Sequence, residues 1–173
     1  MKLPPRLADG GVALLLGRKV DPGADPHQVK GIAYRGHLEF IASEMEGGLP
    51  AHLRALQELP VANSIKLREF FEETFFASSL YDVYPLAIAG IACSRATGES
   101  FMGFVCRRTE MQVAKDIRGV HKFLMKIVSA KMVASRLPRL LTQYMNFTEV
   151  NVERPEPDYV RATISGIPLA LQF

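Results

Sequence analysis

The sequence of 173 residues has no tryptophan, only two cysteines and no long hydrophobic run. Without about 18 consecutive apolar residues, no membrane-spanning helix is expected. The apolar run at residues 12–16 is too short for a secretory signal. Cys93 and Cys106 are far apart among apolar neighbours, which is typical of buried free thiols rather than of a disulfide. We therefore expect a reducing, cytoplasmic location.

Motifs of common enzyme classes are also missing. There is no Gly-rich phosphate loop, no Gly-x-Ser-x-Gly elbow and no cysteine in the setting of a nucleophile. Glu72 and Glu73 are adjacent, and side chains of adjacent helical residues point about 100° apart, so they cannot face each other as an acid/base couple. No catalytic residue is predicted, and a non-enzymatic protein is favoured. An enzyme assembled from residues distant in sequence is the alternative.

The four histidines do not predict a metal or cofactor site. They are His27, His37, His52 and His121, and no pair has metal-ligand spacing. His121 lies on an apolar helical stripe, where a core histidine is favoured over a haem ligand or a proton relay.

Composition and local patterns favour one α+β domain over residues 29–173, because 48% of the chain is apolar and 23% is charged. Residues 1–28 are rich in Pro, Gly and Asp, which predicts a mobile arm or one edge strand at residues 12–16. The patterns predict a strand at 29–35 and helices at 38–45, 51–59, from Ser64 onward, at 85–93 with Asp82 as cap, and at 101–128.

Near the C-terminus the spacing of apolar residues changes from the helical period to strict alternation. Val150 and Val152 alternate with polar residues, as do Val160, Ala162 and Ile164, on either side of a Pro-Glu-Pro-Asp turn. This pattern predicts a β-hairpin with one apolar face. The expected architecture is mainly helical, with helices packed on a small antiparallel sheet that includes this hairpin.

Residues 107–140 form a basic segment. They carry nine Lys/Arg against Glu110 and Asp116, a local charge of +7, whereas the whole chain carries +3. This segment predicts an anionic partner, either nucleic acid or an anionic membrane surface, although amphipathic helices also place such residues simply in solvent. The candidate residues are Arg107, Arg108, Lys115, Arg118, Lys122 and Lys126.

An ordered series of sequence patterns resembles a known family. The patterns are VKGIAYRG, VYP, the long run VAKDIRGVHKFLMKIVSAKMVASRLPRLLTQYMNF and the final ISGIP. Over residues 29–168 the chain resembles the uncharacterised paralogous domain first noted in myxobacteria and common in δ-proteobacteria. That family is distantly similar to 4-vinyl-reductase-like domains, haem-nitric-oxide-binding-like domains and vesicle-tethering subunits.

The resemblance implies helices on a small antiparallel sheet with a cavity between them. Some of these relatives bind small hydrophobic ligands, and others act as pairing modules. The Tyr-x-Ser-x-Arg haem signature is absent here, which argues against haem at His121. The further helix and strand usual in the family after Gly-x-Pro are missing, which leaves a hairpin edge for a partner strand or a homodimer.

If the relatives' cavity persists, segments 70–76 and 81–93 and the basic helix should bound it. The candidate ligand-binding residues are Phe71, Phe75, Tyr84, Met111 and His121. A closed core is narrowly favoured, whereas an apolar pocket of roughly 300 Å³ or more would indicate a sensor or carrier. Arg107 or Arg118 would then bind an acidic head group.

The leading functional hypothesis is a regulatory, signalling or scaffolding domain that acts through protein contacts, with or without a small apolar ligand. Nucleic-acid binding through residues 107–140 is the alternative.

Overall fold

Helices make up most of the residues that the structure describes, together with two small antiparallel sheets. The computed structural model describes residues 12–61, 64–116, 138–139, 141–156, 159–168 and 171. The predicted α+β class with a C-terminal hairpin is confirmed. Within these ranges, none of the helices combines the length and the apolar character needed to cross a membrane.

The elements follow one another with short connections. The helices are α1 (residues 12–17), α2 (Gly31–Glu44), α3 (Gly48–Glu58), α4 (Ser64–Phe71), α5 (Val83–Thr97) and α6 (Phe101–Asp116). The strands are β1 (Gln28–Lys30), β2 (Leu80–Asp82), β3 (Glu149–Glu156) and β4 (Tyr159–Ser165). Residues 138–139 and 141–144 are also helical.

The segment before residue 29 contributes to the core. The edge strand predicted at residues 12–16 is wrong, because these residues form helix α1. Val12, Leu15 and Leu16 have the i, i+3, i+4 spacing of one helical face and pack against the main core, where Leu15 is fully buried. Residues 1–11 of the predicted arm lie outside the described residues.

Helix α2 begins earlier than its sequence pattern indicates. The strand predicted at 29–35 is limited to β1, which pairs antiparallel with β2. Gly31 starts the helix, and its N–H donates to the Ser79 carbonyl at 2.8 Å. A Cβ atom at Gly31 would lie 2.2 Å from the Phe76 carbonyl oxygen. Only glycine permits this close approach between the start of α2 and the 76–79 loop.

An aromatic cluster around Tyr34 forms the centre of the core, against the buried face of α5. The Tyr34 ring stacks on Phe75 with centroids 4.4 Å apart and meets Phe70 edge-on at 5.6 Å. The Tyr34 hydroxyl donates to the backbone carbonyl of Asp82, and burial raises the pKa of this phenol. The prediction that the apolar segment 85–93 lies at the centre of the core is confirmed, since Ile88 is fully buried.

The carboxylate of Asp82 joins the N-terminal segment to the core. Asp82 was predicted to cap the following helix, but its side chain makes no cap hydrogen bond. Its Oδ2 instead accepts from the backbone N–H groups of Gly23, Ala24 and Asp25, at 2.7, 3.1 and 3.2 Å. Asp82 is 2% exposed, so this contact is almost fully shielded from water.

The C-terminal hairpin has the predicted single apolar face. Val150 faces Ile164 and Val152 faces Ala162, which places the apolar residues of both strands on one side. Among the described residues, β3 and β4 pair only with each other. Ile164 remains 43% exposed, so the apolar face of the hairpin is incompletely covered by this part of the chain.

Candidate functional site

An apolar cavity of about 340 Å³ lies between α2, α5, α6 and the C-terminal segment. Helix α5 contributes Val83, Leu86 and Gly90, and α6 contributes Phe101 and Val105. The C-terminal segment closes the opposite side with Leu141, Met145, Phe147, Ile164 and Ile167. This arrangement differs from the closed core that the sequence narrowly favoured, and its volume is within the range of small-molecule sites.

Two exposed apolar side chains lie at the rim of the cavity. Met102 is 39% exposed and Ile164 is 43% exposed, yet both line the cavity. Because an unbranched methionine adopts several rotamers at low cost, Met102 can move aside without backbone rearrangement. The cavity therefore has an apolar rim as well as an apolar interior.

One charged side chain, Arg108, reaches the cavity. Its Nη1 lies 3.2 Å from Nδ1 of His37, and burial lowers the pKa of the guanidinium. Within the described part of the chain, no carboxylate lies within 4.0 Å of Arg108. A partly buried guanidinium thus adjoins an apolar space without a paired anion.

Four of the residues predicted to bind a ligand are described by the structure, and none of these four lines this cavity. Phe71 and Phe75 pack in the aromatic cluster around Tyr34. Tyr84 lies under the guanidinium of Arg18, whose Cζ is 4.1 Å from the ring centroid. Met111 is at the other end of α6, where its sulfur lies 3.8 Å from the Ser43 hydroxyl. His121 is outside the described residues.

The predicted anion-binding residues that the structure describes are engaged within the fold. Arg107 binds Glu99 with both Nε and Nη2 and lies over the Phe40 ring. Lys115 is 3.7 Å from a carboxylate oxygen of Glu39. Arg107 and Lys115 are each 40% exposed and form surface ion pairs, whereas Arg108 is turned inward. Arg118, Lys122 and Lys126 lie outside the described residues, as does the remainder of the segment 117–137.

Three helices bring His37, His52 and Cys93 together, and we call these residues the histidine–cysteine cluster. They come from α2, α3 and α5, respectively, and all are fully buried. Nδ1 of His52 lies 3.2 Å from Sγ of Cys93, and the two imidazole rings are 5.2 Å apart. One ligand atom from each residue lies within 4.8 Å of the other two. The sequence predicted no metal site, and this cluster was missed.

Burial controls the protonation of the cluster. It lowers the pKa of His52 to about 4 and that of His37 well below 6.5, where the Arg108 charge acts in the same direction. Burial raises the pKa of the Cys93 thiol to about 12. At neutral pH both imidazoles are therefore neutral and the thiol is protonated. Within the described chain, Nε2 of His37 and Nε2 of His52 have no hydrogen-bond partner.

The similarity over residues 29–168 to the myxobacterial domain family remains a prediction from sequence pattern. Comparisons of this chain with protein-family models, with curated proteins and with solved structures find no match.

Proposed function

We propose that this protein is a non-enzymatic regulatory domain that binds a small amphipathic carboxylate in the cavity. The observation that carries the proposal is the guanidinium of Arg108 in the wall of an apolar cavity, without a carboxylate partner in the described chain. A partly buried cation without a counter-ion loses hydration at a cost in free energy, and an anionic ligand would offset that cost. The planar guanidinium also matches the two oxygens of a carboxylate.

The cavity indicates the size and polarity of the ligand. A water molecule takes up about 30 Å³ in the liquid, so 340 Å³ accommodates roughly ten atoms of similar size. The remaining lining is almost entirely aliphatic or aromatic, which favours a hydrocarbon body over a sugar or a nucleotide. A monocarboxylic acid with a short acyl chain or one aromatic ring satisfies both requirements.

Calorimetric titration with octanoate, 1-octanol and octylamine tests the proposal. These ligands share a hydrocarbon chain and differ in head-group charge. Octanoate should bind most tightly, because a hydrogen bond to a charged group contributes about 1.5–3 kcal/mol. The Arg108→Met substitution retains an apolar stem and should weaken octanoate binding roughly 10- to 100-fold. Its effect on 1-octanol should be small.

Arg107→Met is the matched control, because Arg107 is the adjacent residue on α6 but binds Glu99 instead of lining the cavity. This variant should bind octanoate as the unchanged protein does. Equal affinities for octanoate and 1-octanol, or an equal loss in both variants, would contradict the role of Arg108. Failure of all three ligands to bind would contradict the cavity as a binding site.

The protein-contact hypothesis concerns the hairpin, where we propose pairing with a second copy of this chain. In the described residues, the outer edges of β3 and β4 have no strand partner. Residues 161–165 of β4 are exposed, so their backbone is accessible to another strand. Light scattering after size-exclusion chromatography should give a dimer that Ile164→Lys weakens. A monomer at all accessible concentrations would contradict this pairing.

Nucleic-acid binding remains the alternative prediction and depends on the undescribed part of the basic segment. If Arg118, Lys122 and Lys126 contact phosphates, affinity for DNA should fall steeply with added salt. Absence of binding at about 50 mM salt, where such contacts are strongest, would exclude it.

A further inference from the structure

We propose that His37, His52 and Cys93 form a binding site for a soft monovalent metal ion of the Cu⁺ type. This site is separate from the ligand cavity, since none of the three residues lines that cavity. Two imidazoles and one thiol are the donors that soft first-row metal ions favour. They converge from helices α2, α3 and α5, each of which packs in the core.

The geometry of the cluster is close to that of a metal site. The three ligand atoms lie within 4.8 Å of one another, and the His52–Cys93 pair is already at 3.2 Å. Metal–nitrogen and metal–sulfur bonds of about 2.0 and 2.3 Å would place bound ligand atoms roughly 3.5 Å apart. Movements on the order of 1 Å therefore bring all three donors onto one ion, which rotations of the rings and of the thiol can provide.

The unpartnered nitrogen atoms provide the second observation. Nε2 of His37 and Nε2 of His52 are both buried without a hydrogen-bond partner in the described chain. Buried polar groups in folded proteins nearly always have a partner, so two orphan nitrogens in adjacent rings need an explanation. Because Arg108 can only donate, Nδ1 of neutral His37 accepts from it and Nε2 carries the ring proton. Ligation by His37 therefore requires the ring to turn, so that its unprotonated nitrogen leaves Arg108 and faces the ion.

Charge and coordination number select the type of ion. The Arg108 guanidinium lies 3.2 Å from His37, so a divalent ion bound to the Cys93 thiolate would leave one net positive charge beside an existing cation. A Cu⁺ ion bound to the Cys93 thiolate is electrically neutral. Structural Zn²⁺ sites also need four ligands, whereas the cluster offers three and is fully buried.

Binding is a simple exchange at the sulfur atom. A bond forms between Sγ of Cys93 and Cu⁺, the thiol proton leaves to solvent, and no electron is transferred. The two neutral imidazoles complete a three-coordinate site. The established proton release on metal binding to thiols applies here.

Anaerobic competition between the protein and a chromogenic Cu⁺ chelator tests the proposal. The protein should remove one equivalent of Cu⁺ from the chelator. Cys93→Ser and His52→Gln should each weaken Cu⁺ binding by at least about 100-fold, since each removes a ligand rather than an outer-sphere contact. Cys106→Ser is the matched control, because Cys106 is the exposed thiol and lies outside the cluster. It should bind Cu⁺ normally.

X-ray absorption spectroscopy of the Cu⁺-loaded protein gives a measurement that does not depend on folding of the variants. The expected ligand set is one sulfur and two imidazole nitrogens. A sulfur-only set, a loss of binding in Cys106→Ser, or failure to compete with the chelator would overturn the site. One tightly held Zn²⁺ with four ligands, in a parallel titration, would overturn the choice of a monovalent ion.

Discussion

Replacement of Asp82 by asparagine should release the N-terminal segment from the core. The substitution keeps the size of the side chain and one acceptor oxygen but removes the negative charge. Three backbone N–H groups, at residues 23–25, donate to Oδ2 in the folded protein. A hydrogen bond to a charged group contributes about 1 kcal/mol more than one between neutral groups, so three such bonds together give about 3 kcal/mol.

Urea unfolding measures this loss, and hydrogen exchange locates it. The free energy of unfolding of Asp82→Asn should fall by about 3 kcal/mol, a large part of the 5–15 kcal/mol typical of a domain. The amides of residues 23–25 should lose protection, while those within α5 should change only through the global decrease. Local exchange isolates the contact even if total stability also changes for other reasons.

Asp21→Asn is the control, because Asp21 belongs to the same segment but is exposed and pairs only with Lys66 among the described residues. An exposed ion pair contributes little, so neither stability nor exchange should change appreciably. Equal protection of residues 23–25 in the unchanged protein and in Asp82→Asn would refute the reasoning. An equal effect of both substitutions would refute it as well.

Three further predictions concern protonation, packing and thiol reactivity. Burial lowers the pKa of His52 to about 4, so the unfolded state takes up protons first as the pH falls below 6.5. The contribution of His52 to the free energy of unfolding should be greatest above pH 6.5 and should fall by about 2 kcal/mol between pH 7 and 5. Chemical unfolding of the metal-free protein should depend less on pH after His52→Gln. Gly31→Ala should lower the free energy of unfolding by about 1–3 kcal/mol, because its Cβ would lie 2.2 Å from a backbone carbonyl oxygen. Thermal or urea unfolding measures this change. Gly17→Ala is the control, because a Cβ at Gly17 meets open space and should not destabilise the protein. In the native protein a thiol reagent should modify the exposed Cys106 before the buried Cys93, because burial raises the pKa of the Cys93 thiol to about 12. Equal modification rates, measured by mass spectrometry, would contradict the buried position of Cys93.

Local sequence patterns predict the parts of the fold that depend on residues close together in sequence. The alternation in the hairpin predicts that Val150 and Ile164 belong to one apolar face, because side chains in a strand alternate with a period of two. The continuous apolar run of α5 likewise predicts a central buried helix, which the burial of Ile88 bears out. Neither prediction requires knowledge of a distant partner.

The histidine–cysteine cluster could not be predicted from spacing. His37, His52 and Cys93 are separated by 15 and 41 residues and meet only because α2, α3 and α5 pack together. One signal was present in the sequence. His37 is three residues from both Tyr34 and Phe40, so it belongs to the apolar face of its own helix. A polar residue on a buried face requires an internal partner, but its identity depends on the tertiary fold.

The inward position of Arg108 also could not be predicted from the spacing of the basic residues. The spacing of basic residues predicts a shared face for Lys115, Arg118, Lys122 and Lys126, apart from the buried stripe. It does not assign Arg108 to either side of the helix. Arg108 is four residues after Phe104, which is fully buried, and so points toward the same side of α6. Clustered charge alone does not distinguish a solvated face from a charge placed beside a cavity.

The absence of a side chain at Gly90 sets an upper limit on what the cavity can hold. A Cβ at this position would lie 2.9 Å from the Phe101 ring, and both residues line the cavity. A methyl group there requires the ring to shift, and this changes the shape of the cavity wall. If the cavity binds a carboxylate as proposed, Gly90→Ala should shorten the hydrocarbon chain that it accepts and leave the preference for the carboxylate head group unchanged.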